Sequence, residues 1–165
     1  MTYDKIKFLE NKSKKIFIVY GHDEEMKQAV ARFIERLGLE PIFLDEQANK
    51  GKTIIEKLTE NIDIGYAIIL LSPDDKGYSV LQGSKKAKYR IRQNVVFEWG
   101  IFNVALGRER VMLLRKEVEG KELELPSDCA GLVYTPYDIY GGWKAKLLKE
   151  LKAFGYKVDA NRFVQ

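Results

Sequence analysis

The sequence contains very few of the residues on which several classes of protein depend. Its 165 residues include one cysteine, Cys129, and one histidine, His22. A single cysteine excludes a disulfide framework within the chain, and a single histidine excludes a metal site built on paired histidines. No histidine accompanies Cys129 in its segment, so a small apolar structural residue is predicted there. We therefore expect no metal and a reducing, cytoplasmic location.

Long apolar runs and a strong charge of one sign are also missing. No apolar segment approaches the roughly 20 residues that a membrane-spanning helix needs, and the charged N-terminal segment contains no signal-peptide core. The 28 basic and 24 acidic residues leave a net charge of +4, which is too small to indicate a nucleic-acid partner. We expect a soluble chain with neither a membrane partner nor a nucleic-acid partner.

Short apolar runs alternate with longer amphipathic ones along the chain. Five strands are predicted, at residues 16–20, 41–45, 66–72, 110–115 and 132–137. Helical periodicity lies between and after them, at residues 23–38, 52–62, 92–107 and 142–154. This alternation predicts an α/β fold, in which a five-stranded, mostly parallel sheet of flavodoxin-like order 2-1-3-4-5 carries helices on both faces. The predicted domain covers residues 15–165, and residues 1–14 form an N-terminal extension or a linker.

The predicted sheet order indicates where a ligand binds. In open α/β sheets, ligands occupy the crevice outside the carboxyl ends of the strands at the point where strand order reverses. Here that point lies between the first and third strands, which end in residues 21–23 and 72–75. The loop at 46–52, after the second strand, is expected to reach over the same edge.

That loop suggests a phosphate-binding loop, because Gly51, Lys52 and Thr53 lie between a strand and a helix. The complete motif needs a glycine five residues before Gly51, so that backbone amides can wrap a phosphate. Position 46 is glutamate instead, which places a carboxylate where the anion would bind. A mobile cover with a glycine hinge is therefore favoured over a nucleotide triphosphatase.

His22 and the basic segment 84–92 each allow two interpretations. At the switch point, His22 is either a substrate contact or an ordinary turn residue between Gly21 and a helix-capping Asp23, and the second is favoured. A charge run such as 84–92 is usually a solvated loop. It leads into the helix beside the crevice, however, and could recruit an anion there.

A glutamate stands inside the most apolar helix, at 92–107, which is predicted to be central and buried. At 100° per residue, Glu98 shares a face with Val95 and Phe102. A carboxylate in that position points to water, pairs with a cation such as Arg92 or Lys88, or serves chemistry. Because carboxylates on apolar walls of clefts are candidates for function, Glu98 is the leading candidate in this sequence.

Several segments occur in the order and spacing of a known family. The chain contains VYGHDEE, LDEQANKGKTIIEK, LLSPDDKG, RQNVVFEWG, GRERV, LELPSD and GGWKAKLLKELKAFGYKVD. Together they resemble the bacterial and archaeal TIR-like domains, also described as nucleotide-binding proteins. The resemblance covers about residues 15–159 and implies the TIR form of the flavodoxin-like fold. Tyr20 stands where the family commonly has histidine, and Ala48 where it commonly has proline.

The resemblance also implies a function. Many members cleave the nicotinamide–ribose bond of NAD⁺ in antiphage defence, often after assembly through TIR–TIR contacts. They are usually joined to, or recruited by, a sensor of cyclic nucleotides. The catalytic glutamate of the family lies in the helix after the third strand and corresponds to Glu98. NAD⁺ is then the substrate, and no cofactor is implied.

The candidate catalytic residue is thus Glu98, and the candidate substrate-binding residues come from the crevice loops, the basic segment and the start of the helix. They are Gly21, His22, Asp23, Asp45, Asn49, Lys50, Gly51, Ser72, Asp74, Arg90 and Asn94. Two other functions stay open at this point. One is a non-catalytic nucleotide-binding or TIR–TIR interaction module, and the other is a glycosyl-transfer enzyme similar to nucleoside deoxyribosyltransferases.

Overall fold

Short apolar runs build the centre of the domain in the computed structural model, which describes residues 14–44, 56, 65–129 and 131–158. The strands are β1 (Lys15–Val19), β2 (Glu40–Ile42), β3 (Ala67–Leu71), β4 (Asp75–Gly77), β5 (Lys88–Arg90), β6 (Val111–Lys116), β7 (Leu123–Glu124) and β8 (Thr135–Tyr137). The helices are α1 (Glu24–Arg36), α2 (Gln93–Leu106) and α3 (Gly142–Ala153).

The main sheet has the order β2-β1-β3-β6-β8, and all of its pairings are parallel. These strands are the five predicted ones, so the order 2-1-3-4-5 is confirmed. Leaving β1, the chain first forms β2 on one side and then β3 on the other. The reversal of strand order therefore falls between β1 and β3, as the sequence predicted.

Alternate residues of the central strands pack into two separate apolar layers, because successive side chains of a strand point to opposite faces. In β1, Ile16 and Ile18 join a core with α1 and α3, whereas Phe17 and Val19 join a core with α2. Every residue of β3 is buried. The predicted arrangement of helices on both faces is confirmed, and it explains why β3 reads as a continuous apolar run.

The two helices on the first face have the boundaries that their capping residues predict. Asp23 caps α1, and its Oδ1 accepts a hydrogen bond from the Met26 backbone N–H at 3.0 Å. Gly38, just beyond this helix, adopts a φ of +78°, which favours glycine and ends the helix. Gly155 does the same after α3, with a φ of +75°.

The predicted helix at residues 92–107 is confirmed by α2, but the expectation that it is central and buried is wrong. Only Val95, Trp99 and Phe102 of α2 are buried, which is the narrow stripe by which one helix packs on a sheet. On the outer side, Phe97 is 58% exposed and Val104 is 89% exposed. The apolar composition of α2 therefore reflects one buried face and one apolar face turned to solvent.

A second, smaller sheet was not predicted. It has the order β4-β5-β7, with β4 antiparallel and β7 parallel to β5. The segment 84–92, interpreted as a solvated loop, instead forms a short 3₁₀ turn at Ser84–Lys86 and then β5. The loop prediction fails for this part because β4 and β7 supply backbone partners for a strand with no apolar pattern of its own.

Three further predictions concern Cys129, the helix at residues 52–62 and membrane-spanning helices. Cys129 is a free cysteine, half-buried and packed against the core on the α2 side, as predicted. Of the predicted helix 52–62, Glu56 is helical and the rest lies outside the described residues, as do residues 1–13 of the predicted extension 1–14. A helix of the length and apolarity needed to cross a membrane does not occur within the described part of the chain.

Candidate functional site

The carboxyl edge of the sheet brings Gly21 and Asp74 into direct contact. Gly21 follows β1 and is buried, and the Asp74 carboxylate occupies the space that a side chain at position 21 would need. A Cβ built on Gly21 lies 1.8 Å from Asp74 Oδ2 and 2.9 Å from Asp74 Cγ. Glycine is therefore required here for the close approach of the neighbouring carboxylate, and the two predicted crevice loops meet at this point.

Ser72 fixes the position of that carboxylate. Its side chain is fully buried at the end of β3, and its Oγ donates a hydrogen bond to Asp74 Oδ2 at 2.8 Å. The Asp74 backbone N–H donates to the Ser72 carbonyl at 2.9 Å. One bond restrains the carboxylate and the other restrains the backbone that carries it, so the group loses little conformational freedom when a ligand arrives, which favours binding. Gly21, Ser72 and Asp74 thus form one unit, here called the crevice triad.

Helix α2 begins beside the crevice triad. Arg92, its N-cap residue, has its Cβ 3.6 Å from the position that a Cβ on Gly21 would take. Asn94, in the first turn, is exposed. The helix then packs on β1 and β3, with the rings of Phe17 and Phe102 separated by 4.7 Å between centroids. The first turn of α2 therefore stands at the switch point of the sheet.

Glu98 is half-buried on α2. It follows Val95 by three residues and precedes Phe102 by four, and both of these side chains are buried. The carboxylate therefore lies at the border of the buried stripe rather than on the exposed face of Phe97 and Val104. The carboxylate is thus only partly withdrawn from water, whereas the sequence placed it on the apolar face of a buried helix. Its assignment as the catalytic residue stays a prediction.

Asp23 has a structural role at the other end of the crevice. While Oδ1 caps α1, Oδ2 accepts a hydrogen bond from Lys116 Nζ at 2.6 Å. Partial burial acts to lower the pKa of Lys116, but the hydrogen bond and charge of Asp23 outweigh it and raise the pKa above its ordinary value. Both oxygens of Asp23 are thus engaged, and the capping interpretation is confirmed. His22, its neighbour, is exposed at the same turn.

Arg90 lies in the small sheet, paired with an acidic residue. Its Nε donates to Glu124 Oε2 at 2.5 Å, and Lys88 Nζ lies 3.5 Å from Glu124 Oε1. The bond from Arg90 is the main reason that the pKa of Glu124 is lowered. Arg90 also lines a depression of about 430 Å³ together with Val96 of α2. Val96 and Glu98 lie on opposite flanks of the helix, and Glu98 does not line this depression.

Four predicted residues cannot be placed, because Asp45, Asn49, Lys50 and Gly51 lie outside the described residues. Their assignment to the substrate pocket stays a prediction. Within the described ranges, no group of three or more histidine, cysteine, aspartate or glutamate side chains is arranged to hold a metal ion.

Lys27 is a residue near the site that the sequence analysis missed. Only 4% of it is exposed, although it carries a charge. Its Nζ lies 4.0 Å from the ring centroid of Tyr20, 4.8 Å from that of Phe43 and 3.2 Å from Glu24 Oε1. The spacing of Glu24 and Lys27 on α1 predicts an ion pair, but the two rings come from different strands and give no local signal.

Comparison with known proteins decides the family. The sequence profile of the family described as "CAP12/Pycsar effector protein, TIR domain" matches residues 15–139. The chain belongs to this TIR domain family. The matched range contains the crevice triad, Arg90, Asn94 and Glu98, and the fold is therefore the flavodoxin-like TIR fold.

Relatives of this TIR domain occur in bacteria and in an amoeba. An uncharacterized protein of Escherichia coli (strain K12), YuaY, is 48% identical over 151 residues, which are 91% of this chain and 48% of YuaY. Protein tirC of Dictyostelium discoideum is 38% identical over 133 residues, 77% of this chain and 66% of tirC. The Pycsar effector protein PaPycTIR of Pseudomonas aeruginosa is 39% identical over 86 residues, 52% of this chain and 26% of PaPycTIR. The aligned segments thus cover about half of YuaY and about a quarter of PaPycTIR.

Proposed function

We propose that this TIR domain is an NAD⁺ glycohydrolase effector in antiphage defence, with Glu98 as its catalytic carboxylate. The observation that carries the proposal is the half-buried carboxylate of Glu98, at the border of the apolar stripe on a helix that begins at the sheet's switch point. Membership of an effector TIR family supports it. The reaction adds water to NAD⁺ and yields ADP-ribose, nicotinamide and a proton.

The chemistry suits a single oriented carboxylate. The nicotinamide ring is positively charged in NAD⁺ and leaves as neutral nicotinamide, so its departure needs little acid assistance. As the glycosidic bond breaks, positive charge develops on the ribose, and a nearby anion stabilises it most when water is excluded. Glu98 supplies that anion, and it can also accept hydrogen bonds from the ribose hydroxyls and orient the anomeric carbon. NAD⁺ is the substrate, and the mechanism uses no metal or redox cofactor.

The crevice triad is proposed to position the substrate. Because Gly21 has no side chain, the Asp74 carboxylate can pack against the backbone that follows β1. Asp74, held by Ser72 at 2.8 Å, is a fixed acceptor for hydroxyl groups. The loop after β2, including Asn49, Lys50 and Gly51, is proposed to cover the bound NAD⁺.

Activity is proposed to require assembly of several copies. The outer side of α2 supports this, because Phe97 and Val104 are exposed there with Gly100 between them. An apolar helix face with a glycine at its centre lets another helix approach closely. The trigger is proposed to be a cyclic-nucleotide sensor, carried on the same polypeptide or by a partner protein.

The test is the release of nicotinamide from NAD⁺, measured with the purified domain at low concentration and after forced clustering on a multivalent scaffold. We expect turnover in the clustered wild type and a loss of about 10²- to 10³-fold in Glu98→Gln, which keeps the shape but removes the charge. Glu35→Gln is the matched control, an exposed helical glutamate on α1. Turnover by clustered Glu98→Gln at the wild-type rate contradicts the mechanism.

A binding module without turnover gives a different result in the same experiment. NAD⁺ then binds, as followed by calorimetry, while nicotinamide is not released from either clustered protein. Release of bases from deoxynucleosides, with NAD⁺ left intact, assigns the site to glycosyl transfer of the deoxyribosyltransferase type.

A further inference from the structure

The hairpin between β4 and β5 ends in an ordered turn with an apolar apex. Gln82 N–H and Gly83 N–H both donate to the Ser79 carbonyl, at 2.9 and 3.0 Å, and close the turn. Val80 is 92% exposed and Leu81 is 98% exposed at its apex. The two bonds hold these aliphatic side chains in water, away from either core of the domain. Residues 78–83 are here called the hairpin tip.

Isolated apolar residues on a surface are ordinary, but the hairpin tip concentrates them on a protruding element. Tyr78, which enters the tip, is 48% exposed. Gly83 leaves the tip with a φ of +74°, a conformation that turns the chain sharply and keeps Val80 and Leu81 at the apex. The tip is therefore a convex apolar wedge.

The chain around this wedge is strongly basic. Between positions 76 and 97 the sequence contains six cations and no carboxylate; the cations are Lys76, Lys85, Lys86, Lys88, Arg90 and Arg92. Glu124 neutralises part of this charge by pairing with Arg90 and Lys88. Lys85 and Lys86, in the 3₁₀ turn next to the tip, are exposed and form no ion pair with any other described residue.

A second pair of cations extends the basic surface along the hairpin. Lys76 Nζ lies 4.6 Å from the ring centroid of Tyr89, and Lys121 Nζ lies 5.5 Å from it. Tyr89 thus holds one lysine from β4 and one from the turn before β7 beside the same strand. On the small sheet, Asp75 and Glu124 offset part of the positive charge, but Lys76 on the stem and the lysines of the adjoining turn form no ion pair with another described residue.

We propose that the hairpin tip docks this domain on an anionic lipid surface. Val80 and Leu81 enter the boundary between headgroups and acyl chains, and Lys85, Lys86 and Lys76 lie against the anionic headgroups. A convex wedge suits a bilayer, which deforms around it, better than a protein partner, which must offer a fitted apolar pocket inside an acidic surface. The lack of a long apolar run in the sequence led us to expect no membrane partner, but peripheral docking requires no membrane-spanning helix.

The proposal is tested by sedimentation of the whole chain with large unilamellar vesicles. Vesicles of phosphatidylcholine with about one-third phosphatidylglycerol, a fraction at which anionic charge dominates the surface, are compared with pure phosphatidylcholine vesicles. We expect binding to the anionic vesicles only, weakened by added salt. Lys85→Gln with Lys86→Gln should reduce the partition coefficient about 25-fold, about fivefold for each cation removed. Val80→Ser with Leu81→Ser should reduce it tenfold or more.

The matched control is Ile139→Ser with Tyr140→Ser. These residues are 90% and 93% exposed, as apolar and as accessible as the hairpin tip, but they follow Asp138 rather than a lysine run. We expect this variant to bind the anionic vesicles as the wild type does. Equal binding by the Val80, Leu81 double variant, or no preference for anionic vesicles, overturns the proposal. Capture of the wild type by poly-glutamate, with no vesicle binding, also overturns it and assigns the surface to an acidic polypeptide.

Discussion

Replacing Gly21 by alanine is a direct perturbation of the crevice triad. Cβ atoms do not approach other heavy atoms closer than about 3.0 Å, and the new Cβ would lie 1.8 Å from Asp74 Oδ2. The carboxylate must therefore move by more than about 1 Å, which breaks its 2.8 Å hydrogen bond from Ser72. The backbone itself is not strained, because Gly21 does not adopt a positive φ.

The cost follows from what the displaced groups lose. Ser72 is 1% exposed, so its hydroxyl is left buried without that partner, at a cost of about 1–3 kcal/mol. An Asp74 side chain pushed away from its preferred rotamer adds up to about 1 kcal/mol. We expect Gly21→Ala to lower the free energy of unfolding by about 1–3 kcal/mol, with the fold retained because only the far end of one side chain must shift.

A double-mutant cycle, measured by urea unfolding, assigns this cost to the contact between Gly21 and Asp74. In an Asp74→Ala background the obstructing carboxylate is gone, and the remaining neighbour, Arg92 Cβ, lies at an ordinary 3.6 Å. Gly21→Ala should then cost almost nothing, which gives a coupling of about 1–3 kcal/mol between the two positions. If Gly21→Ala lowers the free energy of unfolding equally in both backgrounds, the cost does not arise from the contact between Gly21 and Asp74. Gly100→Ala is the control, because its Cβ meets nothing within 4 Å, and it should stabilise the helix by about 0.5–1 kcal/mol.

Three other predictions follow from the described contacts. Asp23→Ala should lower the free energy of unfolding by about 1–2 kcal/mol, because α1 loses its cap and Lys116 loses its partner. Asp23→Asn keeps the cap, so urea unfolding of both variants separates the contribution of the cap from that of the ion pair. Glu124 has a lowered pKa, chiefly through its bond with Arg90, so its stabilising effect is present above its ordinary pKa of 4.5 and is lost as the pH falls through the lowered folded value. The difference in thermal stability between wild type and Glu124→Gln should therefore be present at pH 7 and vanish on acidification below pH 4.5; a difference independent of pH contradicts the assignment. Val104→Ser should change stability by less than about 0.5 kcal/mol, since the side chain is 89% exposed, but should reduce self-association measured by light scattering, and unchanged association would exclude that face.

The main sheet could be predicted from the sequence because the burial of each central strand is visible in the apolar composition of that strand itself. Ile16 and Ile18 face one apolar layer while Phe17 and Val19 face the other. Because both faces of β1 are covered, successive residues of the strand are all apolar. The switch-point rule then placed residues 21–23 and 72–75 at one edge without any knowledge of contacts. That rule correctly brought Gly21 and Asp74 together.

The small sheet and the outer face of α2 could not be predicted in the same way. Residues of β5 carry no apolar pattern, and the ion pair between Arg90 and Glu124 joins positions 34 apart in sequence. On α2, Phe97 and Val104 have the same apolar character as buried Val95 and Phe102. Periodicity cannot distinguish an apolar face that fills a core from one that is exposed.

Polar side chains near the site were the least predictable because their partners are distant. The second carboxylate oxygen of Asp23 accepts a hydrogen bond from Lys116, which lies 93 positions later in the sequence. The burial of a lysine on α1 depends on Tyr20 and Phe43, which end different strands. The helical period placed Glu98 on the side of Val95 and Phe102, but its half-buried position at the border of a narrow stripe depends on how α2 packs on the sheet.

Nicotinamide release by the clustered domain, with Glu98 intact and with Glu98→Gln, tests the central claim most directly. We expect steady turnover of NAD⁺ by the wild type and a rate lower by about 10²- to 10³-fold in the variant, while both proteins unfold as cooperative, folded domains. Equal rates in the two clustered proteins would contradict the assignment of Glu98, and no release from clustered wild type would contradict the proposed activity itself.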